Sequence, residues 1–442
     1  MKTPIFDFLK TYEKACQVRL HMPGHKGMPF LGCEKWDITE VAGADALYEA
    51  EGIIAQSEEN AAAIFGTEKT FFLTEGSSQA IRAMVYLAAQ GKDSPWFLAA
   101  RNAHKAFLYA LALCDADVQW LWPKKTDSVC ACPITPQDVE QALLDAETVP
   151  AAVYVTSPDY LGNVLPIKEI AEVCHKFGTR LLVDNAHGAY LHFLPQSRHP
   201  IALGADMCCD SAHKTLPVLT GGAYLHISKN APEAFARQGK QALALFGSTS
   251  PSYLVLASLD LCNRYLSEEI KGKLHSVLPL VGKTKECLRQ KGWDVLDGEP
   301  MKLTVRCPGT QVADRLRKQN IECEYADRDF LVLMPSAQTT EEEFARLTKA
   351  MGECDSLKTA EMPSFCIPEK ALSPRQAMFA PWEWVKTEDS EGRVAAAPTA
   401  GCPPAVPIVV SGEQIGKQTA SLLAYYGFDR VAVVTEQGNA GV

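Results

Sequence analysis

Between about residues 60 and 265 the apolar positions fall into two alternating patterns. Runs of four or five consecutive apolar residues read as strands buried on both faces. Longer stretches with an apolar residue every three or four positions read as helices covering them. Ala152-Val153-Tyr154-Val155-Thr156 is one such strand. Pro166 then opens a helical pattern with Ile167, Ile170, Ala171, Val173 and Cys174 on one face, and Gly178 suits the position just after the helix. Leu181-Leu182-Val183 is the next strand, completing a βαβ unit. Ile81, Met84, Val85 and Ala88 mark a second helical face.

The pattern changes after residue 275. Lys302 to Val305 and Phe330 to Met334 read as strands and Glu341 to Met351 as a helix, the content of a smaller α+β domain. From 361 prolines recur (Pro363, Pro368, Pro374, Pro381, Pro398, Pro403, Pro404, Pro407), so an irregular surface segment is expected, then a helix and strand near 413–435. The organisation is therefore an N-terminal segment (1–45), a large domain with a mainly parallel sheet (46–275), a small α+β domain (276–360) and a C-terminal domain (361–442). The class is α/β.

Composition narrows the partners. A chain of 442 residues is too long for one core. The net charge of −10 argues against nucleic acid and is compatible with a cationic substrate. No run of eighteen apolar residues calls for a membrane span, and the N-terminus lacks a signal-peptide core, so a cytoplasmic protein is expected. The 15 cysteines are scattered. Cys130/Cys132 and Cys208/Cys209 have no second pair at zinc spacing, so they read as buried thiols and no metal site is expected.

The chemistry lies in four strings. Lys214, in Asp210-Ser-Ala-His-Lys-Thr-Leu, has an amine able to form a Schiff base when deprotonated. Asp184 ends a buried strand, where open α/β sheets bind ligands, and could pair with a protonated ring nitrogen. Ala186 is small enough for a flat ring, and His187 follows. Thr74-Glu75-Gly76-Ser77-Ser78-Gln79 precedes a helix, so close backbone approach, two hydroxyls and a helix N-terminus make a phosphate cradle. His104, in Arg101-Asn-Ala-His-Lys, could stack on a ring. Their order along the chain is that of the aspartate-aminotransferase-like fold that binds pyridoxal 5'-phosphate (PLP).

The chain resembles the prokaryotic ornithine/lysine/arginine decarboxylases in their short form. The resemblance runs from His21-Met-Pro-Gly-His-Lys-Gly27 through Asp37-Ile-Thr-Glu40, Gly43-Ala-Asp45 and the four strings to Ser248-Thr-Ser-Pro-Ser-Tyr253 and Ala257-Ser-Leu-Asp260. It recurs in Ser373-Pro-Arg-Gln-Ala377, Gly392-Arg393, Pro403-Pro404 and Ser411-Gly-Glu413. It implies a PLP enzyme in which Lys214 carries the cofactor, Asp184 partners the ring nitrogen and His104 stacks on the ring. Gly76, Ser77, Ser78 and Ser211 would hold the phosphate. His213 precedes the lysine, as in decarboxylases of this fold. Thr249 and Ser250 would reach a neighbouring subunit's phosphate, implying a homodimer with shared active sites. The segment Pro23 to Gly27, by composition a turn, would lie over the site mouth. The implied reaction is loss of CO2 from lysine, ornithine or arginine to give the amine. Asp184 would keep the ring nitrogen protonated, and Lys214 or His213 would return a proton to Cα.

The chain departs from the family pattern at four places. Asn185 stands where Glu is usual, Glu75 where Asn is, Gly221 follows Thr220 where Gln is usual, and Cys402-Pro-Pro-Ala405 replaces Tyr-Pro-Pro-Gly. The alternatives are a transaminase or lyase of the same fold, with Arg306 as a carboxylate clamp, and a PLP-binding regulatory protein without catalysis. Glu413 and Asp159 are candidate acceptors for the distal end of a basic substrate.

Overall fold

The computed structural model describes residues 1–126, 128–353, 362–363, 366–398 and 406–435. Its large region begins with α1 (Pro4–Lys14), α2 (Ile53–Phe65), β1 (Lys69–Leu73), α3 (Ser77–Ala89), β2 (Trp96–Ala100), α4 (Lys105–Leu113), β3 (Asp117–Leu121) and α5 (Pro136–Leu144). It continues with β4 (Ala152–Thr156), α6 (Ile167–Lys176), β5 (Leu181–Asp184), β6 (Met207–Asp210), α7 (Ala212–Thr215), β7 (Ala223–Ile227), α8 (Glu233–Ala244), α9 (Tyr253–Glu268) and α10 (Ile270–Gln290). Then follow β8 (Asp294–Val295), β9 (Leu303–Arg306), α11 (Gly309–Arg317), β10 (Tyr325–Ala326), β11 (Phe330–Leu333) and α12 (Glu341–Gly352). The last elements are α13 (Pro374–Phe379), β12 (Trp382–Lys386), α14 (Lys417–Tyr425) and β13 (Arg430–Val434). The fold is α/β, and β1 to β7 form a mostly parallel seven-stranded sheet.

The βαβ expectation holds at its boundaries. α6 starts directly after Pro166, and Gly178 takes the left-handed conformation (φ +73°) beyond the helix end, where a side chain would be strained. The proline-rich segment is more regular than expected. Ser373 and Gln376 form a capping box for α13, and β12 pairs antiparallel with β13. Cys402, with the rest of 399–405, lies outside the described residues, as does the boundary expected near 360.

The chain divides into two compact units. The first comprises residues 1–90, 167–172 and 180–274. Its strands run in the order β1-β7-β6-β5, with β5 and β6 parallel and β7 antiparallel to both its neighbours. Phe65, Phe72, Tyr190, Tyr224 and Tyr253 are fully buried there, each such side chain contributing on the order of 2 kcal/mol by leaving water. The second comprises residues 91–166, 173–179 and 275–442. It carries β4-β2-β3, all parallel, and the antiparallel sheet β10-β11-β9-β8. One apolar cluster joins Leu161, Phe330, Val332, Ile408, Val409, Leu423, Val431 and Val433.

Candidate active site

In the first unit β5 and β6 are parallel neighbours with Asp184 opposite Cys209, so both strands deliver their last residues to one sheet end. Asp184 is buried, accepts the backbone N–H of Ala186 (3.1 Å) and lies 3.6 Å from the Cys209 thiol. The chain leaves β6 through Ser211, the residue before α7, and Lys214 lies within that short helix. Ser211 Oγ donates to Ser77 Oγ at 2.8 Å. Ser77 and Ser78 open α3 behind Gly76, whose φ of +72° a side chain would resist and whose helix has no side-chain cap. Ser77 in the candidate phosphate loop and Ser211 in the lysine segment, 134 positions apart, therefore meet.

Lys214 Nζ lies 2.8 Å from His187 Nε2. His213 Nδ1 lies 3.0 Å from the Gly222 carbonyl, which can only accept, so Nδ1 carries the proton. Gly221 also receives a role: its carbonyl accepts the backbone N–H of Gly76 at 2.7 Å. A hydroxyl pair and an uncapped helix N-terminus suit a phosphate, a strand-end carboxylate suits a protonated ring nitrogen, and a primary amine suits an aldehyde. The residues present thus fit PLP. Thr249 and Ser250 are exposed in the loop after α8, which is hooked to Glu75 by the Ser248 N–H (2.5 Å). Within the N-terminal segment His25 Nε2 is 3.1 Å from Asp37.

His104 belongs to the second unit, where it caps α4, its Nδ1 accepting the N–H of Ala106 at 3.1 Å. The proposed distal carboxylates also lie there, and both are occupied by the fold itself. Glu413 accepts Arg101 (3.1 Å) and the N–H of Val410 (2.9 Å). Burial raises its pKa above the usual range, against the pull of Arg101. Asp159 accepts the N–H groups of Leu161 and Asn163 and the Asn163 amide. Burial pushes it up to about 6. Arg306, the candidate carboxylate clamp, pairs with Asp294 (3.3 Å) and lies over the Phe330 ring.

The sequence reading missed one cluster, directly behind the first unit's site. Asp210 is fully buried; its Oδ1 accepts Asn185 (2.6 Å) and its Oδ2 faces His199 (3.0 Å) and His226 (3.2 Å). Cys208 Sγ lies 3.9 Å from His199 Nε2. Burial raises the thiols of Cys208 and Cys209 well above their ordinary range, which keeps them protonated. The described cysteines are all free.

Comparison with known proteins places this geometry in context. Residues 3–302 match the family described as Orn/Lys/Arg decarboxylase, major domain, and residues 357–432 match its C-terminal domain. An arginine decarboxylase of Halalkalibacterium halodurans is 30% identical over 480 residues, covering 99% of this chain and 95% of that protein. An arginine decarboxylase of Bacillus subtilis is 29% identical over 96% of this chain and 93% of its own length. The Francisella novicida lysine decarboxylase LdcF superposes with a TM-score of 0.81 at 18% identity, covering 98% of this chain and 81% of that structure, which speaks for the fold.

Proposed function

The chain belongs to the Orn/Lys/Arg decarboxylase family, and from that premise we propose that it removes CO2 from a basic amino acid, arginine first among the candidates, using PLP carried on Lys214. The carrying observation is the segment Ser211 to Lys214, tied at one end to the phosphate loop through Ser77 and at the other to His187. Arginine is placed first because the relatives similar over nearly the whole chain carry that substrate's name.

Gly76, Ser77, Ser78 and Ser211 would hold the phosphate, Asp184 the ring nitrogen, Ala186 one ring face, and Lys214 the aldehyde carbon. Bound PLP supplies an electron sink for the pair left behind by CO2. Asp184 holds a proton on the ring nitrogen from a position where water has little access. Lys214 Nζ and His187 Nε2, at hydrogen-bond distance, can pass a proton between them. His213, protonated on Nδ1 towards Gly222, has Nε2 as its basic nitrogen. Lys214 or His213 returns a proton to Cα of the substrate. Thr249 and Ser250, exposed on their loop, complete a partner's phosphate site in a homodimer. Cytoplasmic residence goes with the reading, and no helix among the described residues is long and apolar enough to cross a membrane.

The transaminase alternative rested on Arg306, whose engagement by Asp294 leaves it without a specific support. The experiment is to supply PLP to the purified chain and incubate it separately with arginine, lysine and ornithine. CO2 release and the amine product are followed by mass spectrometry. Agmatine is expected. Lys214→Ala is expected to lower CO2 release by at least about 10³-fold and to abolish borohydride trapping of the cofactor. No CO2 from any of the three substrates, with the cofactor trapped, would remove the decarboxylase reading.

A further inference from the structure

The buried cluster behind the site has a geometry that ligand-binding residues alone do not account for. Asp210 ends β6, so the next residue, Ser211, is the one that meets Ser77. Asn185 follows Asp184, the last residue of β5, and its backbone N–H donates to Cys209 O at 3.0 Å. The Asn185 amide then donates to Asp210 Oδ1 at 2.6 Å. One side-chain hydrogen bond thus spans the two strand ends that deliver the ring-nitrogen carboxylate and the lysine segment. Both residues are fully buried.

The charge state of the cluster follows from its contacts. A lone buried carboxylate is costly and tends to protonate. Burial works in that direction on Asp210, yet the His199 and His226 imidazoles hold its pKa below the ordinary carboxylate range. Burial pulls His226 down and the Asp210 charge pulls it up. Its Nε2 faces the Asp210 carboxylate, which can only accept, so that nitrogen carries a proton, and its Nδ1 stands 2.8 Å from the Thr70 hydroxyl, with Thr67 bonded behind at 2.8 Å. The carboxylate takes three donors on two oxygens, and two of those donors are anchored on β7 and on the turn before Pro200. A carboxylate at position 185 would face Asp210 where an amide now donates. Asn185 therefore answers to Asp210 in the interior.

We propose that Asn185, Asp210, His199 and His226 are positioning residues for the cofactor, holding Asp184 and the Ser211–Lys214 segment at the spacing that PLP requires. The Asn185–Asp210 pair is the joint. This rests on the reading of the site as a PLP site.

The test uses the full chain as Asn185→Asp, as Asp210→Asn and as the double variant, which exchanges amide and carboxylate. PLP dissociation constants are measured by titrating cofactor-free protein and following the absorbance of the lysine-bound form. Melting of the cofactor-free proteins is recorded alongside. Each single variant is expected to weaken PLP binding about tenfold or more, and the double variant to return within about fivefold of wild type, because coupled neighbours are non-additive. Single variants that bind within about fivefold of wild type overturn the proposal. So does a double variant no better than the weaker single. Should a single variant not fold, the double decides alone. Folded and within about fivefold supports the proposal; weaker binding or failure to fold overturns it. Failure of the underlying reading looks different: wild type itself would bind no PLP on Lys214.

Discussion

Gly221 shows how narrowly a single residue is constrained beside the turn that precedes α3. Its φ is +96°, and a Cβ there would stand 2.5 Å from the Thr74 carbonyl oxygen, a backbone atom that cannot step aside. Its own carbonyl accepts the N–H of Gly76, the residue before α3. Gly221→Ala is therefore expected to cost roughly 1–3 kcal/mol of stability and to weaken PLP binding, read by denaturant unfolding and cofactor titration. An unchanged unfolding midpoint would show that the loop yields and that this account of the glycine is wrong. Lys214 and Asp184 stand out in the sequence because their residue types and order along the chain point to a chemistry, and the structure brings their strand ends side by side. The hydrogen bond of Asn185 to Asp210 leaves no such mark, since the two lie 25 positions apart on neighbouring strand ends. Periodicity reports which face is buried, and carries no record of which buried polar groups meet.

Elements with strong periodicity were the legible ones. β4, α6, β5, β11 and α12 start and stop within a residue or so of their patterns, because apolar runs and caps coincide there. β12 was hidden: it is five residues long and four of them are exposed, Trp382 and Trp384 included, so its residue types do not report a buried face. Equally hidden was the tie between the loop after β2 and residues 407–413. Arg101 donates to the carbonyls of Pro407 (3.1 Å) and Ile408 (3.1 Å) as well as to Glu413, and its guanidinium lies over the rings of Trp120 (5.2 Å) and Trp122 (5.0 Å). Breaking a buried pair leaves an uncompensated charge. Arg101→Ala is expected to destabilise the protein by about 3–5 kcal/mol. Arg101→Met with Glu413→Leu, which removes both charges, should cost clearly less. Equilibrium unfolding compares them, and equal losses would mean that the pair contributes through packing and not through charge.

At the scale of the molecule, the first unit is assembled from stretches far apart in sequence, and one carboxylate ties three of them. Asp260 on α9 accepts the Ser57 hydroxyl of α2 (2.6 Å) and the backbone N–H of Phe6 in α1 (3.0 Å), across 203 and 254 positions. Burial raises its pKa from 3.8 to about 6, against the pull of Ser57 and the α1 N–H groups. A carboxyl with a folded pKa above its unfolded value binds its proton more tightly in the folded state. Its stabilising contribution is complete below about pH 4 and is lost as pH rises through 6. Two pKa units correspond to roughly 3 kcal/mol at most. Asp260→Asn mimics the protonated form and removes this titration. The stability difference between Asp260→Asn and wild type is therefore expected to move in favour of the variant between pH 4 and 6.5 and to stay level above that. Chemical denaturation at four or five pH values would show it. A difference independent of pH across that window would mean that Asp260 is already ionised in the folded chain, and that α1 is docked on a charged carboxylate.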